Sequence, residues 1–89
     1  MTIQADYNKP GEEPIKNALV KLINTRGDES KGWTGTFAVY RNKTSYTKGA
    51  DPVTQFSYFI DGSTSEDQAE VQLYNAVKTS GILDKVKDL

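Results

Sequence analysis

The side chains best equipped for recognition chemistry lie in one run, Tyr40-Arg41-Asn42-Lys43-Thr44-Ser45-Tyr46-Thr47-Lys48. Three cations alternate there with two tyrosines and several hydroxyls. Lysine and arginine neutralise phosphates, and tyrosine faces stack on bases. Tyrosine and arginine also dominate the energetic centres of protein–protein contacts. Tyr40, Arg41, Lys43, Tyr46 and Lys48 are therefore the candidate binding residues. The plainer alternative is an exposed strand kept soluble by its charges.

Chemistry beyond binding has little to work with. The chain holds no histidine and no cysteine. That removes the commonest general base, the commonest transition-metal ligand and every thiolate. A serine or threonine nucleophile would have only lysine or a carboxylate as its base. Ser45 between Lys43 and Lys48 is the nearest arrangement, and no nucleophile-elbow pattern surrounds it. Glu66 and Glu70 stand one helical turn apart, where acids stabilise a helix start. Gly32-Trp33-Thr34-Gly35 lacks the lysine and the setting of a phosphate loop. Asp61 to Asp67 is rich in oxygen ligands but lacks the glycine and terminal acid of an EF-hand. No catalytic, metal or cofactor residue is assigned, and a non-enzyme is expected.

Charge is unevenly divided. The net charge is −1. Between Ile15 and Lys48 the balance is +5, from seven basic residues and two acidic ones. From Gly49 onward it is −4, and over the first fourteen residues −2. Such a division either makes a basic and an acidic face or is cancelled by folding. A chain that binds chiefly through phosphates is normally strongly basic, so nucleic acid ranks below protein as a partner.

These residues need elements to position them. Eighty-nine residues suffice for one small domain. Residues 1–13, with Pro10-Gly11, read as an N-terminal arm, and residues 14–89 as a single α+β domain. Pro14 to Arg26 reads as a helix: Pro14 suits a first turn, Ile15, Ala18, Leu19, Leu22 and Ile23 form a stripe, and Gly27 is a stop. The run Asn17 to Ile23 also fits a buried strand. From Trp33 the period becomes two, with Phe37 and Val39 on one face and Ala38 and Tyr40 on the other. Val53 to Ile60 is a second strand, with Phe56, Tyr58 and Ile60 opposite Gln55, Ser57 and Phe59. Ser63 and Ser65 are both competent caps for a helix running to about Ser80, striped by Ala69, Leu73, Ala76 and Val77. Ile82, Leu83, Val86 and Leu89 suggest a short final turn or helix.

The expected architecture is a small antiparallel sheet with two helices packed on one face, in the order α-β-β-α. A lone hairpin is marginal in water. Hence either a third strand exists, from residues 2–8 or 44–47, or a second subunit completes the sheet. The same order occurs in double-stranded-RNA-binding domains, whose last helix opens with a lysine cluster. Here that place reads Ser65-Glu66-Asp67-Gln68-Ala69-Glu70, and no family is assigned.

The function expected is a small protein-interaction module: an inhibitor, adaptor or accessory protein of the kind viruses and mobile elements encode. It would bind through the hairpin and sheet edge, and self-pair as a homodimer in one version. The alternatives are nucleotide or single-stranded nucleic-acid binding by the hairpin, and a structural part in a larger assembly. No window is apolar enough to span a membrane. With no secretion signal and no cysteine, the expected location is the cytoplasm.

Overall fold

A computed structural model describes residues 2–8, 11, 13–62 and 64–88. Among these residues five strands and two helices follow in the order β-β-β-α-β-α-β. They are β1 (Thr2–Tyr7), β2 (Ile15–Asp28), β3 (Gly32–Tyr40), α1 (Lys43–Thr47), β4 (Thr54–Ile60), α2 (Glu66–Thr79) and β5 (Leu83–Asp88). The strands form one antiparallel sheet ordered β4-β3-β2-β1-β5. The expected α-β-β-α order, with two helices on one face, is therefore wrong.

The largest correction is β2. The segment expected as a helix, Pro14 to Arg26, lies almost wholly in a strand of 14 residues. β2 is the central strand, bonded to β1 on one side and β3 on the other. Ala18, Leu19 and Val20 are consecutive and all buried. A strand covered on both faces loses its alternation, and its apolar residues then satisfy a helical stripe equally well. Ile23, part of that stripe, stands 47% exposed. Gly27, expected as a helix stop, lies within the strand.

Both ends of the chain also enter the sheet. Residues 2–7 of the expected arm are β1, which fulfils the third strand allowed for at residues 2–8. Ile3, Ala5 and Tyr7 are core residues. The expected final turn or helix is instead β5, antiparallel to β1. Leu89 and Ser63, assigned to that final element and to a cap, lie outside the described residues. The stretch 44–47, the other candidate third strand, is helical in α1.

Other local expectations agree with the structure. β3 and β4 pair antiparallel in unbroken register from Trp33 opposite Ile60 to Val39 opposite Thr54. β4 alternates half-buried and exposed residues as its sequence alternates. α2 buries Ala69, Leu73, Tyr74 and Val77. Ser65 stands at its N-cap, although its side chain makes no capping hydrogen bond. Gly81 follows α2 with a φ of 88°, the left-handed conformation that closes a helix.

The core lies between α2 and one face of the sheet. Phe37 on β3 stacks on Phe56 of β4 at 5.1 Å and meets Tyr74 of α2 edge-on at 5.4 Å. Tyr7 of β1 stacks on Phe56 at 5.5 Å. A flat sheet would hold β1 and β4 roughly 14 Å apart, so the sheet curls around the core. Gly35 allows α2 to approach: a Cβ there would stand 2.9 Å from both Leu22 Cδ1 and Leu73 Cδ1. The Tyr74 hydroxyl accepts a hydrogen bond from Leu22 N at 2.7 Å, beside an irregularity in the β2–β3 register. Trp33 Nε1 donates to Thr64 O at 2.7 Å, tying the approach to α2 down onto β3.

Candidate binding surface

The opposite face of the sheet carries α1. Lys21 and Tyr40 alternate with the core residues Val20 and Val39, so they project away from α2. Leu19 and Ala38 share that outer face, yet are 2% and 1% exposed. Tyr40 is the cross-strand partner of Leu19, and Ala38 that of Lys21. α1 packs over this corner of β2 and β3.

α1 begins where Asn42 halts the strand. Its extended backbone directs Oδ1 onto Ser45 N at 2.7 Å, satisfying one of the unpaired donors of the first turn. This cap turns the tyrosine-rich run into a helix, although its residues favour a strand. The turn brings Tyr46 back onto the sheet. Its ring meets Tyr40 edge-on at 4.9 Å. Its hydroxyl accepts a hydrogen bond from Lys21 Nζ at 2.9 Å. That bond to the Tyr46 hydroxyl is the main reason the Lys21 ammonium titrates above the usual lysine value.

The five candidate residues are thus brought together, in two roles. Tyr40 and Tyr46 are half-buried and hold α1 to the sheet, with Lys21 between them. Arg41, Lys43 and Lys48 are exposed. Among the described residues no carboxylate forms an ion pair with these three cations. Lys43 and Lys48 line a shallow hollow with Thr44 and Thr47.

Arg41 lines a larger feature. An open trough of about 730 Å³ runs between the start of β2 and the β3–α1 junction. Glu13, Pro14, Ile15, Lys16, Asn17, Arg41, Asn42 and Val53 form its walls. A bulge shapes one wall: Asp6 lies between the pairs Ala5–Ala18 and Tyr7–Ile15, so it faces both Lys16 and Asn17. Asn17 takes a left-handed φ of 55°, and its N–H donates to Asp6 Oδ1 at 3.0 Å. Asparagine tolerates this conformation better than most residues.

Lys16, Asn17 and Lys21 were not assigned to the site from the sequence. They lie far from Tyr40–Lys48 along the chain, and only the β2–β3 pairing brings them near. The charge division partly survives folding. Lys16, Lys21, Arg41, Lys43 and Lys48 gather around α1 and the trough, with Glu13 among them. Arg26 and Lys31 stand apart, near the β2–β3 turn. Glu66, Asp67 and Glu70 lie on α2, across the sheet.

Comparison of the chain with protein families, with curated proteins and with solved structures finds no match. Among the described residues, no helix is long and apolar enough to cross a membrane.

Proposed function

We propose that this chain is a small non-enzymatic protein-interaction module that takes an acidic segment of another protein along α1 and the adjoining trough. The observation that carries this reading is the position of Arg41. It belongs to the exposed cations around α1 and also lines the trough, which offers apolar surface at Pro14, Ile15 and Val53 and amides at Asn17 and Asn42. Exposed cations beside an apolar floor suit a peptide carrying both acidic and apolar side chains. The absence of histidine and cysteine supports binding over catalysis, and a thiol-free chain suits the cytoplasm.

Nucleic acid fits less well. Base stacking needs open aromatic faces, whereas Tyr40 and Tyr46 pack against one another and Tyr46 holds Lys21. The test is fluorescence anisotropy with two labelled probes, an acidic peptide containing leucines and a single-stranded oligonucleotide. The peptide binds more tightly, and Arg41→Glu weakens it by roughly tenfold or more, the effect of one charge reversal in a partly desolvated contact. Equal binding by the Arg41→Glu protein refutes the site. Tighter binding of the oligonucleotide with a steep salt dependence refutes the partner class.

A further inference from the structure

The sheet has two edges, and they are built differently. The β5 edge is guarded. Four of its six residues, Asp84, Lys85, Lys87 and Asp88, are charged. Lys85 takes a left-handed φ of 51°, and the β1–β5 register shifts along the pairing. Asp88 is further engaged by Lys78 at 2.7 Å. Charge and irregularity are the usual means of preventing another chain from adding to an edge.

The β4 edge has none of these. Thr54-Gln55-Phe56-Ser57-Tyr58-Phe59-Ile60 contains no charge, no proline and no glycine. Its pairing with β3 is free of bulges. Its other side borders no strand among the described residues. It also exposes Phe59, at 53% the most exposed of the large apolar side chains among the described residues. An unguarded, regular, apolar-rich edge is a template for a further strand.

We infer that β4 pairs antiparallel with β4 of a second copy, joining the two sheets into one continuous sheet of twice the width. The strand suits itself as a partner. Being neutral, it sets no like charges opposite one another, which is the usual penalty in a symmetric pairing. A two-fold axis at Ser57, the midpoint of the strand, keeps all seven residues paired. It sets Phe56 of each copy opposite the second copy's Tyr58 on the core face, and Phe59 opposite its Gln55 on the outer face. Aromatic cross-strand pairs are among the favourable ones. Each core face continues into the other, because antiparallel pairing about an axis through the sheet preserves which side is up. Both α1 surfaces then share one side of the assembly. This interface is independent of the acidic-segment site, which lies around α1 and the trough.

Light scattering coupled to gel filtration tests the inference. The wild-type chain of 9.9 kDa elutes at twice its mass. Ser57 is exposed, so Ser57→Lys and Ser57→Glu each fold with unchanged circular dichroism but elute as monomers, since each places like charges on the axis. An equal mixture of the two recovers the doubled mass as a heterodimer. Lys87→Glu, on β5, leaves the dimer intact. A monomeric wild-type protein overturns the inference, as does a Ser57→Lys protein that stays dimeric, a mixture that fails to recover the dimer, or dissociation by Lys87→Glu. Higher oligomers in the wild type also overturn it, because one self-paired edge closes the assembly.

Discussion

Replacing Tyr74 by phenylalanine removes one hydroxyl from the core. The ring stays, so its edge-on contact with Phe37 survives and no large cavity opens. What goes is the hydroxyl that accepts from Leu22 N at 2.7 Å. Tyr74 has no exposed surface, so water cannot easily replace that acceptor. A buried donor left without its acceptor costs about 1–3 kcal/mol, which is the expected loss near neutral pH. The loss should also depend on pH. Burial pushes the Tyr74 hydroxyl above its ordinary value of 10.0, although the Leu22 N–H partly opposes the rise. In the unfolded chain the phenol ionises near the ordinary value, while in the fold it remains protonated. Between those two points the native state binds more protons, so wild-type stability falls as pH rises, by at most about 1.4 kcal/mol per pH unit from this group. Below the ordinary value the contribution is fully present. The other four tyrosines are common to both proteins and cancel in the difference. Denaturant unfolding followed by the single tryptophan, Trp33, measures both stabilities. The gap should narrow as pH rises above about 10. A variant as stable as wild type at neutral pH, or a gap that does not change in alkali, refutes the reasoning.

Two further outcomes follow from the same structure. Gly35→Ala should cost about 1–3 kcal/mol through overpacking against Leu22 and Leu73, and combining it with Leu73→Ala should give less than the sum of the single losses in a double-mutant cycle. The Asp28 carboxylate accepts from Lys31 N at 2.6 Å, and from Ser30 N and Oγ. The Lys31 bond first, with the Ser30 bonds, holds its pKa below the ordinary carboxylate value of 3.8. Its contribution is therefore present above the ordinary value and lost as pH falls from there through the lower value of the folded state. Asp28→Ala should be less stable than wild type at neutral pH, and the gap should shrink as pH falls below about 3.8, as read by urea unfolding.

The sequence by itself determined what depends on neighbours a few residues away. α2 was readable because its stripe of Ala69, Leu73 and Val77 is buried on one side only and Gly81 ends it. β3 and β4 were readable because polar and apolar residues alternate in their sequences, although Phe37, Ala38 and Val39 of β3 are all buried. β4 alternates strictly between half-buried and exposed residues because α2 covers only one of its faces. The candidate binding residues were likewise visible as composition, three cations and two tyrosines in one run.

Tertiary structure decided the rest, wherever partners came from afar. β2 is covered by α2 on one face and by the α1 corner on the other, so Ala18, Leu19 and Val20 carry no period to read. The choice of strand over helix there rests on ladders to β1 and β3 that no local propensity encodes. β5 exists because β1 offers it an edge. The packing of Tyr46 on Tyr40 and Lys21 adds tertiary support to the local Asn42 cap of α1, in a segment whose residues favour a strand. Only the meeting of α1 with β2 reveals that Tyr40 and Tyr46 secure Lys21, while Arg41 is left to line a trough with Lys16 and Asn17. Backbone hydrogen bonds between distant strands outweigh the small preferences of single residues, and those bonds are properties of the whole fold.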